Sequence, residues 1–110
     1  MVKVALEFDA DGCLRGFTAG GHADGPPGAN VACAAVTVLL RTSARAVAAR
    51  GLAEGGSAEE PGDMHLAVGP VPASKREWLR GVSDVLARGL ADVSAEYPGQ
   101  LEVRIVDAKR

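Results

Sequence analysis

Aromatic residues are nearly missing from this chain: one Trp, one Tyr and two Phe among 110 residues. A core short of rings must rest on Val, Leu and Ala. Cysteine is equally scarce, at two residues. Two thiols do not make the disulfide framework of a small secreted domain. Charge of one sign is also lacking: the net is −2, with both signs interspersed. Without a basic stripe, direct nucleic-acid binding is excluded as an expectation. No apolar stretch reads as long enough for a membrane span. Val2–Phe8 lacks the hydrophobic block of a secretory signal. These absences point to a cytoplasmic protein in a reducing compartment, one domain over residues 1–110.

What is present divides cleanly into elements. Val2, Val4, Leu6 and Phe8 alternate with Lys3, Ala5 and Glu7, the period of a strand with one buried face. Asp9-Ala10-Asp11-Gly12 is a tight turn, and residues 13–19 return as a second strand. A helix is predicted from Val31 to about Arg50, with Asn30 as N-cap and Gly51 at its end. A poor strand around Leu52-Ala53-Glu54 and a better one at Met64–Val68 follow. Ser74-Lys75-Arg76-Glu77 reads as a capping box opening a second helix through Trp78, Leu79, Val82, Leu86, Leu90 and Val93. Gly81 and Gly89 inside it mark close packing, and a last strand alternates at Leu101, Val103 and Ile105. The order β-β-α-(β)-β-α-β predicts an α+β fold: two layers, with two helices on one face of a mixed, mostly antiparallel sheet.

Between Arg15 and Arg41 the only titratable side chains are His22, Asp24 and Cys33. His22 precedes a small-residue loop, Gly25-Pro26-Pro27-Gly28, expected to be flexible, and Cys33 follows it at the start of the helix. With Asn30 as cap, Cys33 falls in the first turn, where unpaired N–H groups and the helix dipole favour a thiolate. A histidine across the loop would take the thiol proton, and the same N–H groups would receive an oxyanion. A mobile loop would admit substrate before closing. Composition alone leaves a second reading open, since a lone Cys in an alanine-rich helix is most often a small buried residue.

These residues also carry a resemblance. Gly21-His22-Ala23, a short glycine-rich loop, then Val31-Ala32-Cys33-Ala34-Ala35-Val36-Thr37, is similar to the ribosomal-processing cysteine protease family (Prp), and the likeness extends to the order of elements. It implies a protease with Cys33 as nucleophile and His22 as general base. The implied substrate is the precursor of a large-subunit ribosomal protein, cut after an aromatic residue to remove a short N-terminal extension. A homodimer is implied too. The chain departs from the family pattern at Asn30, where Asp is usual, at Thr37, where Ser is usual, and in a slightly shorter loop. Asn30, Asp24 and Thr37 are therefore supporting candidates; an amide can orient an imidazole but cannot add negative charge beside it.

Other chemistries fit less well. Cys13, His22, Cys33 and His65 lack the paired short spacings of a zinc site, so neither a metal nor another cofactor is expected. Gly20-Gly21 before a helix suggests a phosphate cradle, but no Gly-Lys-Ser/Thr follows. Cys13 reads as filler and His65 as an exposed strand residue. The alternative in another class is a non-catalytic, ribosome-associated binding module on the same scaffold.

Overall fold

The computed structural model describes residues 1–21, 29–57 and 63–107. Its elements are β1 (Val2–Phe8), β2 (Leu14–Gly20), α1 (Ala29–Ala49), β3 (Ala53–Ser57), β4 (Asp63–Val68), α2 (Ala73–Glu96) and β5 (Leu101–Asp107). The strands form one sheet in the order β3-β4-β2-β1-β5. All neighbours are antiparallel except β1 and β5, which run parallel with Val2 opposite Leu101. Both helices lie on one face of this mixed sheet, so the two-layer α+β expectation stands.

Register explains which residues reach the core. Val4 pairs with Ala19 and Leu6 with Phe17; Phe17 and Ala19 in turn pair with Leu66 and Met64. All six are buried against the helices. Their alternates, including Lys3, Glu7, Thr18, His65 and Ala67, occupy the uncovered face and are exposed. A register shift at Glu7/Phe8 adds a residue to β2 at Arg15, which lets Leu14 turn back into the core. Gly16 sits beside the shift because a side chain there would strike the carbonyl oxygen of Leu66, 2.5 Å away.

The helices supply the aliphatic half of the core through Val36, Leu40 and Val47 of α1 and Leu79, Leu86 and Leu90 of α2. Where they cross, Gly89 leaves room for Leu39, whose Cδ2 lies 2.9 Å from where a Cβ would stand. Gly81, by contrast, faces open space, so only one of the two helical glycines marks close packing. Ser83 is the polar residue at the centre. Its Oγ donates to Leu79 O at 2.6 Å and accepts from the Leu14 N–H at 2.8 Å, tying α2 to the start of β2.

Three expectations need correction. Helix α1 begins at Ala29, so Asn30 is its second residue instead of its cap. Alanine, the best helix former, draws the start back two positions from the expected Val31, to one residue before the preferred capping residue. Helix α2 likewise begins early, at Ala73, with Pro72 at the cap and no side-chain cap bond, so the capping box at Ser74–Glu77 does not form. Finally, Val31–Ala49 does have the length and hydropathy of a membrane span, contrary to the sequence reading. Its alanines and valines raise the average; in the fold they pack it onto the sheet with Ala32, Val36, Leu40, Ala44 and Val47 buried.

Candidate functional site

The isolated segment around Cys33 lies at one end of the sheet. Strand β2 ends there at Gly20, which pairs with Lys3 near the start of β1 and with Asp63 at the start of β4. Gly21 follows with φ +92°, a conformation suited to glycine, and a Cβ on it would run into the carbonyl oxygen of Met1. Helix α1 begins eight residues later and runs back along the sheet. His22, Asp24, Gly25, Pro26, Pro27 and Gly28 lie outside the described residues.

Cys33 is the fifth residue of α1, not the third as the capping expectation had it. Its own N–H can enter the helical ladder through the Ala29 carbonyl, while N–H groups at the start of the first turn have no intrahelical acceptor. The position still faces them: side chains on a helix tilt toward its N-terminus, so the thiol lies over the preceding turn. Cys33 is half-buried, touching the core on one side and open on the other. Thr37 follows one turn later on the same face and is buried. The structure thus brings Cys33 and Thr37 together. Asn30 is two residues further into the helix than its proposed capping role requires.

The second cysteine has a different environment. Cys13 is 1% exposed, and its Sγ donates to the carbonyl oxygen of Arg76 at 3.4 Å. Burial pushes its thiol pKa up, opposed in part by the positive charge of Arg76. Its backbone N–H donates to Asp9 Oδ1, and the Asp9 carboxylate in turn accepts from Arg76. Burial pushes the Asp9 carboxyl up, but the Cys13 N–H and the Arg76 guanidinium outweigh it and hold the group below its ordinary value. Cys13 therefore belongs to the turn that locks β1–β2 onto α2, in keeping with its reading as filler.

His65 is exposed on β4, between buried Met64 and Leu66, so its side chain lies on the sheet face away from the helices. No cluster of three or more His, Cys, Asp or Glu side chains suited to a metal occurs among the described residues.

The sequence reading missed a cleft of about 490 Å³ between α1 and the β3–β4 edge. Arg41 and Arg45 flank it and Gly55 and Gly56 line it. Its local signal is the pair of glycines in β3, just beyond the poor strand expected around Leu52-Ala53-Glu54; only the return of β3 beside α1 turns them into a cleft.

Comparisons with known proteins agree with this architecture. The family model described as cysteine protease Prp matches residues 1–102. A crystal structure of SMU.848 from Streptococcus mutans superposes with TM-score 0.76 at 18% identity, over 98% of this chain and 99% of that one. The essential ribosomal processing protease Prp from S. aureus, in complex with a substrate peptide, gives TM-score 0.75 at 17% identity, covering 96% and 99%. The same S. aureus protease with a covalently linked product peptide gives 0.73 at 18% identity, with the same coverage. No curated protein matches the chain.

Proposed function

Given that the chain belongs to the cysteine protease Prp family, we propose that it removes a short N-terminal extension from a large-subunit ribosomal protein, with Cys33 as nucleophile and His22 as general base. The contrast between its two thiols carries the assignment of the nucleophile. A cysteine protease must present sulfur to its substrate, and Cys13 is buried, bonded and pushed toward the neutral thiol. Cys33 is the one with an open side, near the start of α1. Elimination supports His22 in the same way, because His65 lines the cleft beside Arg41 and Arg45, about two to three turns along α1 from Cys33.

The chemistry follows from that placement. The Cys33 sulfur attacks the scissile carbonyl carbon, forming a C–S bond and moving the carbonyl π pair onto oxygen. In this reading, unpaired N–H groups in the first turn of α1 receive that oxyanion. Collapse breaks the C–N bond, and His22 delivers to the leaving amine the proton it took from the thiol. Water, deprotonated by His22, then attacks the thioester, releasing the leader peptide as a carboxylate and restoring the thiol. The covalently linked product peptide of the S. aureus relative supports an acyl-enzyme step.

Thr37 sits one turn below the sulfur, and Asp24 and Asn30 are the candidates for orienting His22. The proposal places cleavage after an aromatic residue, by a homodimer working in the cytoplasm. Membership of a protease family favours this enzyme over the non-catalytic binding module. Incubating the purified protein with the ribosomal precursor and reading product masses tests it: two fragments are expected, and none with Cys33→Ser. Intact precursor after exposure to folded wild-type protein would rule the proposal out.

A further inference from the structure

The cleft beside β3 has no part in the chemistry above, yet it opens on the helix that carries Cys33. Strand β3 is the edge of the sheet, paired with β4 on one side and with no strand on the other among the described residues. Such an edge presents free N–H and C=O groups, here interrupted by the register shift between Ala53 and Gly55. The opposite edge, β5, carries Glu102, Arg104, Ile105 and Val106, all exposed, and thus presents charged and bulky side chains. Residues Ala53, Glu54, Gly55 and Gly56 of β3 are exposed, and three of the four are small.

The glycines explain why the cleft is open. A Cβ at Gly55 would meet nothing within 4 Å, so that point of the strand faces empty space. At Gly56 a Cβ would lie 2.6 Å from the carbonyl oxygen of His65, and φ is +149°, so the position excludes side chains. On the facing helix, Ala44 and Ala48 are equally small, and Arg41 and Arg45 form the rim. Small residues on both sides leave the cleft of about 490 Å³ open between strand and helix.

Its position relative to Cys33 fits the same use. Cys33, Thr37, Arg41 and Arg45 succeed one another at four-residue steps along α1, forming one row. At 1.5 Å per residue, Arg41 and Arg45 lie about 12 and 18 Å along the helix from Cys33. An extended peptide covers that span in about four to five residues, at about 3.3 Å each. Strand β3 starts beyond the C-terminal end of α1 and runs back toward its N-terminal end, so a chain paired with β3 leads to the thiol.

We propose that the cleft is an extended-substrate subsite, in which the segment four to five residues from the scissile bond adds as a sixth strand to the free edge of β3. Recognition there is through the peptide backbone, with Arg41 and Arg45 flanking the added strand. Strand addition gives affinity through main-chain hydrogen bonds on alternate residues. The inference rests on the protease reading of Cys33.

The test uses a synthetic peptide spanning the processing site of the ribosomal precursor. Wild-type protein is first shown to cleave it. Binding to Cys33→Ala is then measured by fluorescence anisotropy for a series in which each backbone nitrogen is methylated in turn. Four to five residues from the scissile bond, affinity should fall about fivefold at every second position and little between them. A benzophenone at those positions should cross-link to residues 53–56 or to the Arg41–Arg45 turn. If the peptide is cleaved but the methyl losses do not alternate, or cross-links fall on β5 or the open sheet face, the subsite is overturned while the protease reading stands. If the peptide is neither cleaved nor bound, both fail together.

Discussion

Replacing Ser83 by alanine should be among the most damaging single-atom deletions outside the site. The Ser83 hydroxyl is 1% exposed and serves two backbone groups. Leu79 O can still accept the α-helical bond from the Ser83 N–H, so its loss is minor. The Leu14 N–H has no such reserve: it enters the core beside the register shift of β1–β2 and donates to Ser83 Oγ. Left buried without an acceptor, it costs about 1–3 kcal/mol. Taking about 2 kcal/mol, Tm for a chain of this size should fall by about 9 °C. Urea unfolding at pH 7, followed by far-UV circular dichroism, gives the same quantity from the midpoint. Ser94→Ala is the control, since its Oγ only donates, at 3.3 Å, to Leu101 O and is part-exposed. A loss below about 0.5 kcal/mol for Ser83→Ala would show that Leu14 finds another partner and refute the reasoning.

Three further outcomes follow from local geometry. Gly81→Ala, in open space on α2, should stabilise by up to about 1 kcal/mol, whereas Gly89→Ala should lose that gain against the Leu39 methyls; equal Tm shifts would contradict the packing. Iodoacetamide at neutral pH should label Cys33 in the folded protein and Cys13 only after unfolding, read by peptide mass mapping. Asp9 has a folded pKa below its unfolded value, so its contribution is present above about pH 4 and is lost as pH falls through the folded value. Asp9→Asn should therefore flatten the decline in urea midpoint between pH 5 and 2; an unchanged slope would remove Asp9 from the acid response.

Much of the fold could be read from side-chain periods. The alternation Val2-Val4-Leu6 and the spacing Leu79-Leu86-Leu90-Val93 each describe one buried face, and those residues are buried. What failed was local chemistry at helix starts, where Asn30 and Ser74 carry the right side chains but the helices begin one residue before them, at Ala29 and Ala73. Alanine at those positions favours helix strongly enough to absorb the capping residue. Strand β3 was only half legible because Ala53-Glu54-Gly55-Gly56-Ser57 has no alternation; its pairing with β4 makes it a strand. The proposed nucleophile, Cys33, stands out in the sequence because only His22 and Asp24 share with it the otherwise non-titratable stretch between Arg15 and Arg41. That the other thiol is unsuitable depends on long-range contact with Arg76, sixty-three residues away, which no local pattern encodes.

The central claim is that Cys33 and His22 act together and that Cys13 and His65 do not. It is tested most directly by single-turnover cleavage of the ribosomal precursor with four alanine variants, each checked for native circular dichroism. Cys33→Ala should abolish product and His22→Ala should slow it by at least about a hundredfold, while Cys13→Ala and His65→Ala stay within a few-fold of wild type. Product formed by Cys33→Ala at the wild-type rate would contradict the account.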